Sequence, residues 1–77
     1  MPYQFIRTDP DILGGKPHIK GTRLSVAFIL ELFASGATRK DILEAYPQIP
    51  AEALEESLRY AAETVDNEII LIDKLAA

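Results

Sequence analysis

The chain has 77 residues, 48% of them hydrophobic, no cysteine and a formal net charge of −4. That length is one domain, and the absence of thiols excludes a disulfide framework and a thiolate zinc site. A chain this short buries only about 60% of the surface its unfolded form exposes, which leaves little room to wall off a reaction from water. Its longest unbroken apolar run, residues 26–30, is far short of the roughly 20 residues a transmembrane helix needs.

Residues 1–24 are expected to form a non-helical arm. Pro2, Pro10 and Pro17 interrupt this stretch, and so does Gly14-Gly15. No basic segment followed by an apolar one opens the chain, so the cytoplasm is the expected location. Short extended pieces are predicted at residues 3–7 and at residues 18–20 with 23–26, where Gly21-Thr22 turns the chain. Such an arm is either a contact element or a strap over one end of the helices.

A first helix is predicted over residues 26–35, with Ser25 accepting from a free N–H of the first turn. Val26, Ile29, Leu30 and Phe33 fall at i, i+3, i+4 and i+7, one core-facing stripe, and Gly36 can end the helix in the left-handed conformation. Phe28 and Leu32 lie roughly opposite that stripe and must also be covered. The arm folding over them is one solution, and a dimer interface is the other.

A short second helix is expected over residues 39–46. Thr38 with Asp41 resembles a capping box, Ile42, Ala45 and Tyr46 share a face, and Pro47 stops the helix. A third helix begins at Pro50 or Ala51, with Leu54, Leu58, Ala61, Ala62 and Val65 on its inner stripe. The tail, residues 66–77, is rich in aliphatic side chains. Ile69 and Ile72 extend the stripe if the helix continues, whereas Ile70, Leu71 and Leu75 point elsewhere; a buried strand fits the run of four aliphatics equally well. Either way the tail carries more apolar surface than one face of a monomer hides, and a partner is the simplest cover. Small domains without staples often pair with themselves, so a homodimer is expected.

Charge divides the chain. Residues 1–40 carry a net +3 from Arg7, Lys16, Lys20, Arg23, Arg39 and Lys40 against Asp9, Asp11 and Glu31, and residues 41–77 carry −7. Two surfaces with two kinds of partner are implied. Glu52, Glu56 and Glu63, with Arg59 among them, are expected along one solvent face of the third helix. That face repels a phosphate backbone. Any DNA contact is therefore expected through Lys16, Lys20, Arg23, Arg39 and Lys40, unless Arg23 instead pairs with an acid of its own chain.

Other site chemistry is sparse. Gly14-Gly15-Lys16-Pro17 lacks the spacing of a phosphate-binding Walker loop. His18, the only histidine, has too few neighbouring ligand types for a metal site or a triad, and is expected to be a partly exposed arm residue. No catalytic pair stands out, so neither an enzyme nor a bound cofactor is expected.

Three helices with short links and a two-turn middle member suit a helix-turn-helix, and Leu32-x3-Gly36-x-Thr38-x3-Ile42 is the pattern seen before one. A more specific string is Gly14-Gly15-Lys16-Pro17-His18-Ile19-Lys20-Gly21-Thr22-Arg23. It follows Ile6-x-x-Asp9-Pro10 and precedes Val26, Gly36, Ile42, Tyr46-Pro47 and Leu58-x-Tyr60-Ala61. Over about residues 5–62 this order resembles domain-of-unknown-function family 433, a prokaryotic family of short proteins. His18 stands where that family usually has an apolar residue, and Leu24-Ser25 replaces the more usual Ile-Pro. The resemblance implies a mainly α fold, a homeodomain-like trihelical helix-turn-helix core with an irregular or short β N-terminal arm. It further implies similarity to VapB-type antitoxins. The implied partner is a PIN-like ribonuclease toxin, with autorepression of the operon by a DNA-binding dimer as a further expectation. A protein-interaction module that uses the helix-turn-helix only as scaffold is the alternative. On either account Phe28, Leu32, Ile69, Ile70, Leu71 and Leu75 are the expected partner or dimer contacts.

Overall fold

The computed structural model describes residues 3–76, with side chains as far as Asp66. It is mainly helical. Two short strands, β1 (Ile6–Arg7) and β2 (His18–Ile19), precede three helices, α1 (Val26–Ala34), α2 (Arg39–Ala45) and α3 (Ala51–Ala76).

The arm is ordered by backbone pairing. β1 runs antiparallel to β2, with Ile6 opposite Ile19 and Arg7 opposite His18. On its other side β2 meets the chain returning toward α1: His18 bridges Ser25, and Ile19 N donates to Leu24 O at 2.9 Å. The return is made by a turn at Gly21, whose φ of +77° is cheap only for glycine. The Thr22 hydroxyl tightens it, donating to Ile19 O and accepting from Leu24 N. β2 is thus a central strand, and both its residues are buried. This explains why His18 is only 2% exposed rather than a partly exposed arm residue. One 3-10 turn, Leu13–Gly15, lies in the crossover between the strands.

Local chemistry sets the helix ends. Ser25 Oγ accepts from Phe28 N at 3.0 Å, which starts α1. At its far end Gly36 N donates to Phe33 O and Ala37 N to Leu32 O, the paired bonds of a Schellman turn. α2 opens with a full capping box. Asp41 N donates to Thr38 Oγ1 at 3.1 Å, and Thr38 N donates to Asp41 Oδ2 at 2.9 Å. That backbone N–H, followed by the Thr38 hydroxyl, holds the Asp41 carboxyl below its ordinary pKa.

The core joins every element: Ile6, Ile19, Val26, Ile29, Ile42, Ile49, Ala53 and Leu54. On α2 only Ile42 is buried; Ala45, predicted to share its face, is exposed, and Leu43 packs against the core instead. The inner stripe of α3 also differs from expectation. Ala53, Leu54 and Ser57 are fully buried, Leu58 and Ala61 half-buried, and Ala62 and Val65 exposed. Length is the reason. At 1.5 Å per residue, the nine residues of α1 span about 14 Å, whereas the 26 of α3 span about 39 Å. α1 therefore covers only part of α3, and the molecule measures 46 × 30 × 21 Å. The backbone of residues 69–75 is helical, which decides between helix and strand for the tail. Among the described residues, no helix is long and apolar enough to cross a membrane.

Two outcomes are expected. Leu54→Ala should lower stability to urea by about 2–5 kcal/mol through a buried cavity, while Glu44→Ala, at an exposed position of α2, should change it by no more than about 0.5 kcal/mol. Asp41 has a folded pKa below its unfolded one, so its contribution is present above the unfolded value and lost as pH falls through the folded one. The urea midpoint should accordingly drop on acidification below about pH 4, with a shallower drop in Asp41→Asn.

Candidate functional site

The exposed faces of α3 are defined by what the arm does to it. Residues 56, 60 and 63 stand at i, i+4 and i+7 on α3 and so share one face. The arm runs along that face. Glu56 Oε1 accepts from Phe5 N at 3.0 Å, and the Glu56 side chain is buried. The Tyr3 ring meets the Tyr60 ring edge-on, with centroids 5.3 Å apart. The Tyr3 hydroxyl donates to the Glu63 carboxylate, and this bond is the main reason its pKa is raised to about 12. Arg7 Nη1 donates to the carbonyls of Tyr3 and Ile6, stiffening the strand from outside.

The expected solvent face of Glu52, Glu56 and Glu63 is therefore not one surface. Glu56 lies under the arm, where its carboxylate supplies the acceptor for the partly covered Phe5 N–H. The row left facing solvent is Glu52, Glu55, Arg59 and Ala62. Glu55 is bridged to Arg39 at the start of α2. That pairing holds the Glu55 carboxyl below its ordinary pKa and raises the guanidinium.

All five predicted basic contacts are exposed, but they belong to separate parts of the body. Lys16 follows the 3-10 turn, Lys20 and Arg23 flank the turn after β2, and Arg39 and Lys40 open α2. Arg39 is already engaged by Glu55. Among the described residues this is the one ion pair, and Arg23 pairs with none of their acids. The β2 histidine, His18, directs Nδ1 at Lys16 O, 3.2 Å away, and serves the arm.

The predicted apolar contacts divide as well. Phe28 and Leu32 are half-buried against the core. Phe28 is met edge-on by Tyr46, at the end of α2, with centroids 5.7 Å apart. Ile69, Ile70, Leu71 and Leu75 lie outside the residues whose side chains are described.

A feature missed in the sequence is an open apolar groove of about 260 Å³ between α1 and α3. Val26, Ala27 and Leu30 form one wall, Tyr60, Ala61, Thr64 and Val65 the other, and Lys16, Pro17 and Ser25 close one side. Its signal was present in the spacing of Ala61 and Val65. Only the crossing of the two helices turns that spacing into a cleft.

The family described as "Protein of unknown function (DUF433)" matches residues 6–61, from β1 to the last half-buried turn of α3. A curated relative from Sinorhizobium fredii, "Uncharacterized protein y4eO", is 36% identical over 58 residues. That match covers 75% of this chain and 26% of the relative, so the chain spans about a quarter of that protein's length. The crystal structure of a DUF433 member protein from Anabaena variabilis is similar at a TM-score of 0.72 and 32% identity, over 86% of this chain and 68% of that one.

Removing the acceptor under the arm should free it. Glu56→Ala leaves Phe5 N without its partner and should cost about 1–3 kcal/mol. Amide exchange should quicken at Phe5 and Lys20, whose N–H groups hold β1 in place, and stay slow at Ile42.

Proposed function

We propose, starting from the fact that the chain belongs to the DUF433 family, that it is an antitoxin that binds and neutralises a PIN-like ribonuclease toxin. It acts by binding in the cytoplasm, without catalysis or cofactor. The observation that carries this reading is the acid exposed along α3. Glu52, Glu55, Glu63 and Asp66 are all exposed there, against Arg59 as the one base among the helix's described side chains. A ribonuclease cleft must be basic to hold its substrate, and an acidic helix is complementary to such a cleft. An amphipathic helix laid in a groove is a recurrent way for one protein to block another. Ile70, Leu71 and Leu75 of the α3 tail are assigned to the toxin contact.

The regulatory half of the proposal is autorepression by a homodimer. We read α1 to α3 as a homeodomain-like helix-turn-helix, supported by the short links and the seven-residue α2. Operator phosphates then face Lys16, Lys20, Arg23, Arg39 and Lys40. Two observations favour the narrower reading of a protein-interaction module that binds no DNA. Arg39 is committed to Glu55, and the outward row of α3 carries Glu52 and Glu55 against Arg59 alone.

Co-expression with the neighbouring open reading frame tests the antitoxin reading. A stable complex with a PIN-like protein whose ribonuclease activity is suppressed, and restored at least tenfold by Ile70→Asp or Leu71→Asp, is the expected result. Recovery of the chain alone, with the nuclease still active, would sink the assignment. A mobility shift on upstream DNA that weakens steeply with salt supports repression; no shift at physiological salt leaves the interaction module.

A further inference from the structure

The groove between α1 and α3 is continuous with a part of α3 that the body does not cover. Ala61 is half-buried, and every described side chain from residue 62 to 66 is exposed, including Val65 at 52%. The helix nevertheless continues to Ala76, about 22 Å beyond Ala61. Isolated helices of this length are marginal in water and gain their stability from packing. The sequence supplies material for packing: Ile69 and Ile72 follow Val65 by four and seven residues, the spacing of one helical stripe.

We propose that this groove is a homodimer site, in which the α3 extension of a second copy of the chain lies against Val26, Ala27, Leu30, Ala61 and Val65. Three observations select a second copy as occupant. The first is continuity. The α3 wall of the groove runs directly into the extension, so a two-fold pairing fills both grooves with one contact made twice. The second is charge. Exposed Lys16 closes the groove on one side, and the chain from residue 61 onward carries Glu63, Asp66, Glu68 and Asp73 against Lys74 alone. The third is the lining itself, which is aliphatic and aromatic apart from Lys16, Ser25 and Thr64. It suits a ridge of aliphatic side chains rather than a polar ligand. This interface does not rest on the antitoxin reading and is tested without a toxin.

Sedimentation equilibrium of the full chain at micromolar concentration should give twice the chain mass. Ala27→Asp and Val65→Asp both change exposed groove residues, and Ala27→Asp places an acid in the first turn of α1, where a helix tolerates it. Each should weaken association at least tenfold while the helical circular dichroism and the urea midpoint of the monomer are retained. Lys16→Glu should weaken it further at low salt than at high salt. A monomeric wild type, or a dimer that both aspartate variants leave intact, overturns the proposal. A wild type that is monomeric alone but loses a complex with another protein on Ala27→Asp also overturns it, and gives the groove to that protein.

Discussion

The backbone N–H of Phe5 must find an acceptor as the arm crosses α3, and the carboxylate of Glu56 meets it at 3.0 Å. Much of the fold follows from that anchor. With Phe5 held, Ile6 and Arg7 are in register with Ile19 and His18, and Ile6 reaches the core formed by α1 and α3. With β1 in place, β2 becomes the middle of three adjoining segments, and Ile19 is fully buried. A proline-broken arm thereby becomes a wall of the domain. The acid at that point of α3 supplies the acceptor, since a partly covered backbone donor costs free energy when it is left unpaired.

The same anchor limits what α3 can touch. One of its faces carries the arm, another the core, and a third the exposed row of Glu52, Glu55, Arg59 and Ala62. Major-groove entry by the third face sets two carboxylates against phosphate with one guanidinium to offset them. Arg39, at the start of α2, is bound to Glu55. That row of α3 is therefore acidic on balance, and the exposed bases Lys16, Lys20, Arg23 and Lys40 lie on other elements.

Length mismatch explains the rest of the surface. A nine-residue helix cannot cover a 26-residue one. The uncovered part of α3 begins where α1 stops, at a groove that the crossing itself creates. Among the described residues no further element closes that groove, which is the physical ground for looking to a second copy.

Periodicity and capping chemistry, read along the chain, determined much of this. The Ser25 cap, the Thr38–Asp41 box, the Gly36 stop and the Val26, Ile29, Leu30 and Phe33 stripe all depend on residues within a few positions of one another, and all were legible without a fold. The Gly14–Arg23 string was specific enough to indicate the family. What the sequence could not decide was anything that depends on two distant segments meeting. The burial of Glu56 depends on Phe5, 51 residues away, and in isolation Glu56 is indistinguishable from its solvent-facing neighbours. His18 is buried because β1 and Ser25 flank it, and nothing beside it in the chain announces a central strand. Arg39 found Glu55, Phe28 found Tyr46, and Ala62 and Val65 were left bare because α1 is short. Local order is written in local spacing, whereas burial and pairing across the chain are set only when the helices cross.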